Sequence, residues 1–180
     1  YQETAGYGLR HAGENSMYKH KGMLTGVLTA QLGNTDDTML HSTLYYDYRG
    51  RPIQSHASNH IEGTEREYIS YNFTGQPVKK LHTHTNDSRT ISEEYAYTYD
   101  HAGRMLKTTH KLNGGQEILL AQNTYDELGR LKVNKKGSSE NLETSFDYNI
   151  RSWTTAITSP LFSQQLYYNE SNGGNTPQYG

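Results

Sequence analysis

Apolar and polar residues alternate along most of this chain with a period of two, the spacing of a strand whose side chains point to opposite faces. The run "SEEYAYTYD" puts Tyr95, Tyr97 and Tyr99 on one face. Leu44, Ile69, Tyr97 and Phe146 each stand two places before a tyrosine, at Tyr46, Tyr71, Tyr99 and Tyr148. That face is therefore expected to be the packed one, although Asn123, two before Tyr125, interrupts the set. No stretch carries a helical apolar stripe. "LLAQNTYDEL" passes for one in isolation, but its place among alternating runs assigns it to a strand. Beyond each tyrosine the faces are harder to assign, because Leu131 and Val133 share a parity that Ile53 and Leu106 do not.

The strand-like runs are punctuated by one recurring turn. "YDYRGRPIQ" starts at Tyr46, "YNFTGQPVK" at Tyr71, "YDHAGRMLK" at Tyr99 and "YDELGRLKV" at Tyr125. Weaker copies start at Tyr148 ("YNIRSWTTA"), around Tyr168 ("YYNESNGGN") and at Tyr18 ("YKHKGMLTG"), at intervals of roughly 20 to 28 residues. In D-x-x-G the first side chain accepts hydrogen bonds from backbone two residues on, and the glycine takes positive φ. A type I turn closed by a left-handed glycine is a tight hairpin connection with a bulge. The residues assigned to this turn are Tyr46, Asp47, Gly50 and Arg51; Tyr71, Asn72 and Gly75; Tyr99, Asp100, Gly103 and Arg104; and Tyr125, Asp126, Gly129 and Arg130. Aspartate and arginine stand at the mouth of three turns, placed to pair. Asn72 and Gln76 remove that ion pair from the second. Ser152 stands where glycine belongs in the Tyr148 copy, with Trp153 in the arginine place, so a different turn type is expected there. Looser loops close the far ends at Ser58–Gly63, Asn86–Ser88, Asn113–Gly115 and Gly137–Ser139.

The expected fold is all-β: consecutive antiparallel hairpins in a curved, twisted open sheet. Three segments are expected: a degenerate repeat region at 1–45, the hairpin array at 46–158, and a degenerate Gly/Asn-rich end at 159–180.

Composition supports this pattern. Leu, Ile, Val and Phe are scarce for a globular core, but sixteen tyrosines supply ring area suited to strands, and a net charge of −2 argues against disorder. There is no cysteine, hence no disulfide framework or cysteine metal site. No 18-residue apolar run offers a membrane-spanning helix. The start lacks a signal-peptide pattern and an initiator methionine, and both ends read as cut from a longer chain.

The three full copies resemble the YD-repeat, or RHS-repeat (rearrangement hot spot), family over Tyr46 to Arg151. Surrounding stretches such as "NTYDELGRLK", "SWTTAI" and "LYYNE" are similar to large RHS-repeat proteins of Gram-negative gut bacteria. The resemblance implies hairpins joined edge to edge in part of a hollow β-shell. Such a shell encloses or presents a C-terminal toxin or effector at the bacterial surface or outside the cell. It implies as partners the rest of the same large polypeptide and the enclosed effector. The family's self-cleaving aspartyl core has no match here, so no catalytic residue carries over.

Other chemistry finds little footing. His82 and His84, two positions apart on a strand, share a face and form a two-ligand metal candidate with no third ligand implied. His56 and His60 lie in or beside a loop. No nucleophile elbow, zincin, P-loop or dinucleotide motif occurs, and Glu93 and Glu94 are expected to face opposite ways, as are Asp36 and Asp37. Neither an enzyme nor a cofactor is expected. Lys132, Lys135 and Lys136 form one basic cluster in a slightly acidic chain, which disfavours nucleic acid and suggests edge or loop lysines. The rival reading is a carbohydrate or surface-ligand module whose exposed tyrosines stack on sugars. Open sheet edges add an expected edge-to-edge self-association.

Overall fold

A computed structural model describes residues 2, 4–7, 22–31, 39–87, 89–168 and 173–174. Tyr18, Asp36, Asp37 and Ser88, and the Tyr168 copy between 169 and 172, lie outside the described residues. The fold is all-β. Twelve strands lie in sequence order in one open antiparallel sheet, each hairpin following the last without a crossover. Two compact units divide it, Tyr1–Thr98 with His110–Glu117, and Tyr99–Thr109 with Ile118–Gly180.

The first unit is built on β1 (Gly26–Ala30), β2 (Met39–Tyr46), β3 (Pro52–Ser58), β4 (Thr64–Tyr71), β5 (Pro77–Asn86) and β6 (Arg89–Tyr99). The second contains the start of β7 (Met105–Leu112), then β8 (Ile118–Tyr125), β9 (Leu131–Lys136), β10 (Glu143–Tyr148), β11 (Thr154–Ser159) and β12 (Phe162–Gln165). A 3-10 turn at Glu140–Leu142 joins β9 to β10, with Ser139 accepting from the Asn141 N–H at its start. Lys135 is paired on both sides and so is not an edge lysine, correcting the sequence expectation at that position, whereas Lys136 pairs with Ala121 of β8 alone and borders the loop that follows.

Tyr46, Tyr71, Tyr125 and Tyr148 each sit beside a β-bulge. Tyr45 pairs with Gln54 but Tyr46 with Pro52, which leaves Ile53 extra; Ser70 pairs with Lys79 but Tyr71 with Pro77, which leaves Val78 extra. The same slip leaves Lys132 extra beside Tyr125 and Thr155 extra beside Tyr148. An extra residue resets the in/out alternation of the outgoing strand. That is why the faces beyond each tyrosine could not be read from parity.

Burial corrects one expectation. In the first unit Gln54 (2% exposed) and Tyr68 (5%) are the most enclosed of the regularly paired strand residues. They oppose each other across β3 and β4, on the face away from Tyr46 and Tyr71 rather than on the motif-tyrosine face. The cause is the N-terminal segment, which lies over that face through Gln2 and Tyr7. Most other strand residues are half-buried, as a sheet with few aliphatic residues requires.

Candidate functional site

The Asp47 carboxylate organises its turn. One oxygen accepts the backbone N–H of Arg49 (2.8 Å) and of Arg51 (3.0 Å); the other takes Nε and Nη2 of Arg51 at 2.7 and 2.6 Å. The Asp47 carbonyl accepts from the Gly50 N–H, and the Asp47 N–H donates to the Arg51 carbonyl, both at 3.0 Å. Gly50 closes the turn at φ 77°. Asp100 and Asp126 repeat this set with Arg104 and Arg130, and Gly103 and Gly129 close at φ 79° and 83°. Asn72 keeps the backbone contacts, with Gly75 at φ 92°, and replaces the ion pair by donating to Gln76 Oε1 at 3.0 Å.

The Tyr148 copy does not change turn type, contrary to the sequence expectation. Asn149 accepts the N–H groups of Arg151 and Trp153, and Ser152 stands in the glycine position at φ 63°. The hydrogen bonds of the turn hold a serine in the left-handed region despite its Cβ.

A second set of contacts, which sequence reading missed, links turns to the next copy within each unit. The Arg51 guanidinium stacks 4.6 Å from the Tyr71 ring centroid, while the Tyr71 hydroxyl donates to the carbonyl of Pro52, one residue past that arginine. Arg104 stacks on Tyr125 at 4.6 Å, and Tyr125 donates to the Met105 carbonyl. Arg130 stacks on Tyr148 at 4.7 Å, and Tyr148 donates to the Leu131 carbonyl. Trp153, in the arginine place, packs its ring 5.0 Å from Tyr168, whose hydroxyl reaches the Thr154 carbonyl. Tyr46 donates to the Leu24 carbonyl, the position that register assigns to the Tyr18 copy. The available signal was the pairing of each arginine with a tyrosine one copy later. A cation over a ring face and an aromatic pair are interchangeable ways of filling that place.

These contacts set the chemistry of the carboxylates. The Arg104 backbone N–H, ahead of its guanidinium, holds Asp100 below the usual aspartate range. Partial burial raises Asp126, but the Arg130 N–H and guanidinium outweigh it and lower it overall. Carboxylates so fully supplied with donors are poor bases.

In the first unit a row of imidazoles and carboxylates crosses β4 to β7. Glu65 takes the Asn59 amide (3.0 Å), His84 Nδ1 (2.5 Å) and His82 Nε2 (2.9 Å). Glu93 lies 3.4 Å from His82 Nδ1 and 3.7 Å from His110 Nε2. Partial burial raises Glu65, but Asn59 and then the two histidines outweigh it and hold the carboxyl below its ordinary value. His82 and His84 do share a face. Among the described residues, though, no group of three or more His, Asp or Glu side chains is arranged to hold a metal ion. Glu94 points the other way from Glu93, to Tyr7 and Lys111. In the second unit an open depression of about 600 Å³ is lined by Lys135, Glu140, Glu143, Ser145 and Thr158.

Fold and turns together define an all-β protein of hairpin repeats. No family model and no curated protein matches the chain. Among solved structures it is similar to a chain in the crystal structure of TcdB2-TccC3-Cdc42, with a TM-score of 0.33 and 12% identity over 67% of this chain. The chain spans 9% of that chain's length, a likeness too distant to carry an argument.

Proposed function

We propose that this chain is a non-catalytic, cofactor-free repeat module of RHS type. In this reading it forms part of a β-shell wall that encloses or presents a downstream effector at the bacterial surface or outside the cell. The observation that carries it is the copy-to-copy clamp: arginine on the next tyrosine, and that tyrosine back onto the carbonyl beyond the arginine. Contacts that repeat with the hairpin serve extension of a sheet, since each copy supplies half of its neighbour's binding surface. Tyr71, Tyr125 and Tyr148 spend one ring face and the hydroxyl on this clamp, which weakens the carbohydrate reading; among the described residues Tyr48 and Tyr167 are the most exposed tyrosines left to it.

Reading the coding sequence past Gly180 tests the proposal. Further Tyr-Asp-x-x-Gly-Arg copies followed by an unrelated tail support it, and a stop codon there overturns it. Saturable glycan binding lost on Tyr48→Ala would move the assignment to the carbohydrate class. The rest of the polypeptide is the proposed partner of the outer strands: β1 and β12 are exposed along their length, so self-association is expected in light scattering.

A further inference from the structure

Gln54 is a buried glutamine on a central strand whose amide finds its partners outside the sheet. Its Oε1 accepts the backbone N–H of Gln2 at 3.0 Å, and its Nε2 donates to the backbone carbonyl of the same residue at 2.8 Å. One side-chain amide thus reads both main-chain groups of a single residue, as a neighbouring strand would. The side chain of that residue is read as well: Gln2 Oε1 accepts Arg66 Nη1 at 2.6 Å and lies 3.4 Å from the Tyr68 hydroxyl.

Five residues on, the segment is anchored again. Thr4 to Tyr7 form a turn, with the Tyr7 N–H donating to the Thr4 carbonyl at 3.2 Å and Gly6 at φ 82°. The turn drops the Tyr7 ring against Tyr68, 6.2 Å between centroids, and leaves Tyr7 9% exposed. Its hydroxyl donates to Glu94 at 2.9 Å. Burial, then Glu94, pushes the Tyr7 phenol well above its usual range, so it stays a donor across the physiological pH scale. Beside it His56 sits edge-on between Tyr45 and Tyr68.

We propose that the face of β3 to β6 carrying Gln54, Arg66, Tyr68 and Glu94 is a polypeptide-binding site that selects a glutamine followed five residues later by a tyrosine. Gln2 and the Thr4–Tyr7 turn are its occupant in cis. No other glutamine in the chain has a tyrosine five places on, so no internal segment competes. The site stands apart from the scaffold reading, because an array with no cargo would still carry it.

Tethering supplies the cis segment at an effective concentration on the order of millimolar, so the test uses the full chain with Gln2→Ala and Tyr7→Ala to free the site. The probe is a fluorescein-labelled peptide of sequence YQETAGY, followed by anisotropy. Saturable binding is expected, at least about fivefold tighter than to the unsubstituted chain, in which the cis segment competes. Adding Arg66→Met or Glu94→Met weakens it by about fivefold each, the loss of one hydrogen bond. In the unsubstituted chain, hydrogen exchange at the Gln2 amide is slowed relative to the free peptide, and Glu94→Met with Arg66→Met restores fast exchange. Arg66 and Glu94 are themselves half-buried, and an unchanged circular dichroism spectrum verifies the fold of the variants. Absence of saturable binding to the freed site, binding indifferent to Arg66 and Glu94, or a Gln2 amide exchanging as in the free peptide each overturns the proposal.

Discussion

Substituting Arg51 and Tyr71, singly and together, tests whether the copies are clamped or merely adjacent. Arg51 makes two kinds of contact. Within its own turn it pairs with Asp47, whose side chain is 7% exposed, so the pair should sit at the upper end of the range for surface ion pairs, about 1 kcal/mol. Across to the next copy it lies over the Tyr71 ring at 4.6 Å, a cation–π contact worth about 0.5–1 kcal/mol where part of it is solvated. Arg51→Met is therefore expected to cost about 1.5–2 kcal/mol in all.

Tyr71→Leu removes the same stack together with the hydroxyl bond to Pro52, itself about 1 kcal/mol. Because the stack is lost in either single variant, the double variant should cost less than the sum by about 0.5–1 kcal/mol. Tyr71→Phe separates the parts: it loses the hydroxyl but keeps the ring, so Arg51→Met should cost as much in that background as in the unsubstituted chain. Urea unfolding followed by circular dichroism measures the cycle, with hydrogen exchange in β3 and β4 as a local readout. Additivity of Arg51→Met and Tyr71→Leu within about 0.3 kcal/mol, the behaviour of residues that do not interact, refutes the clamp.

Three further outcomes are expected. Ser152→Gly relieves a left-handed serine and should stabilise by about 0.5–1 kcal/mol, read as a rise in melting temperature, because the contact it gives up with Arg130 is long at 3.4 Å. His56 is held below the ordinary histidine value by burial and then by the Arg66 charge. Its contribution is thus fully present above the unfolded value near ~6.5 and is lost as pH falls through the lower folded value, and His56→Gln should flatten stability across that acid limb. Asp126 has a depressed folded value, so its contribution is present above ~3.9 and is lost as pH drops through the folded value. Asp126→Asn, the residue type already serving at Asn72 and Asn149, should make acid unfolding less steep in that turn.

The turns were legible because their chemistry is local. Asp47, Gly50 and Arg51 meet within five residues, and the spacing alone carries the geometry. Strand order followed for the same reason, since tight hairpins leave successive strands no route but the neighbouring position. The faces were not legible beyond each turn, because the bulges at Ile53, Val78, Lys132 and Thr155 break the period-two count and have no common residue type. The burial of Tyr68 depends on Tyr7, more than sixty positions away, and no periodicity within β4 announces it.

The arginine position shows what the repeat conserves physically. Arg51, Arg104 and Arg130 occupy it with a charge, yet Trp153 fills it with a ring, and Met23 reaches the following turn from the same register. A Cβ on Gly50 would stand 2.8 Å from Met23 Cε, and one on Gly129 would stand 2.8 Å from Arg104 Nη1. Those glycines therefore serve twice: they supply the positive φ that closes their own turn, and they leave room for the long side chain arriving from the copy before. What the position requires is reach and a surface that can lie on the next tyrosine; charge adds the pairing with aspartate where aspartate is present. It follows that one turn is not the structural unit. The smallest piece that contains both halves of the contact is two consecutive turns, the first giving the long side chain and the carbonyl, the second giving the glycine and the tyrosine.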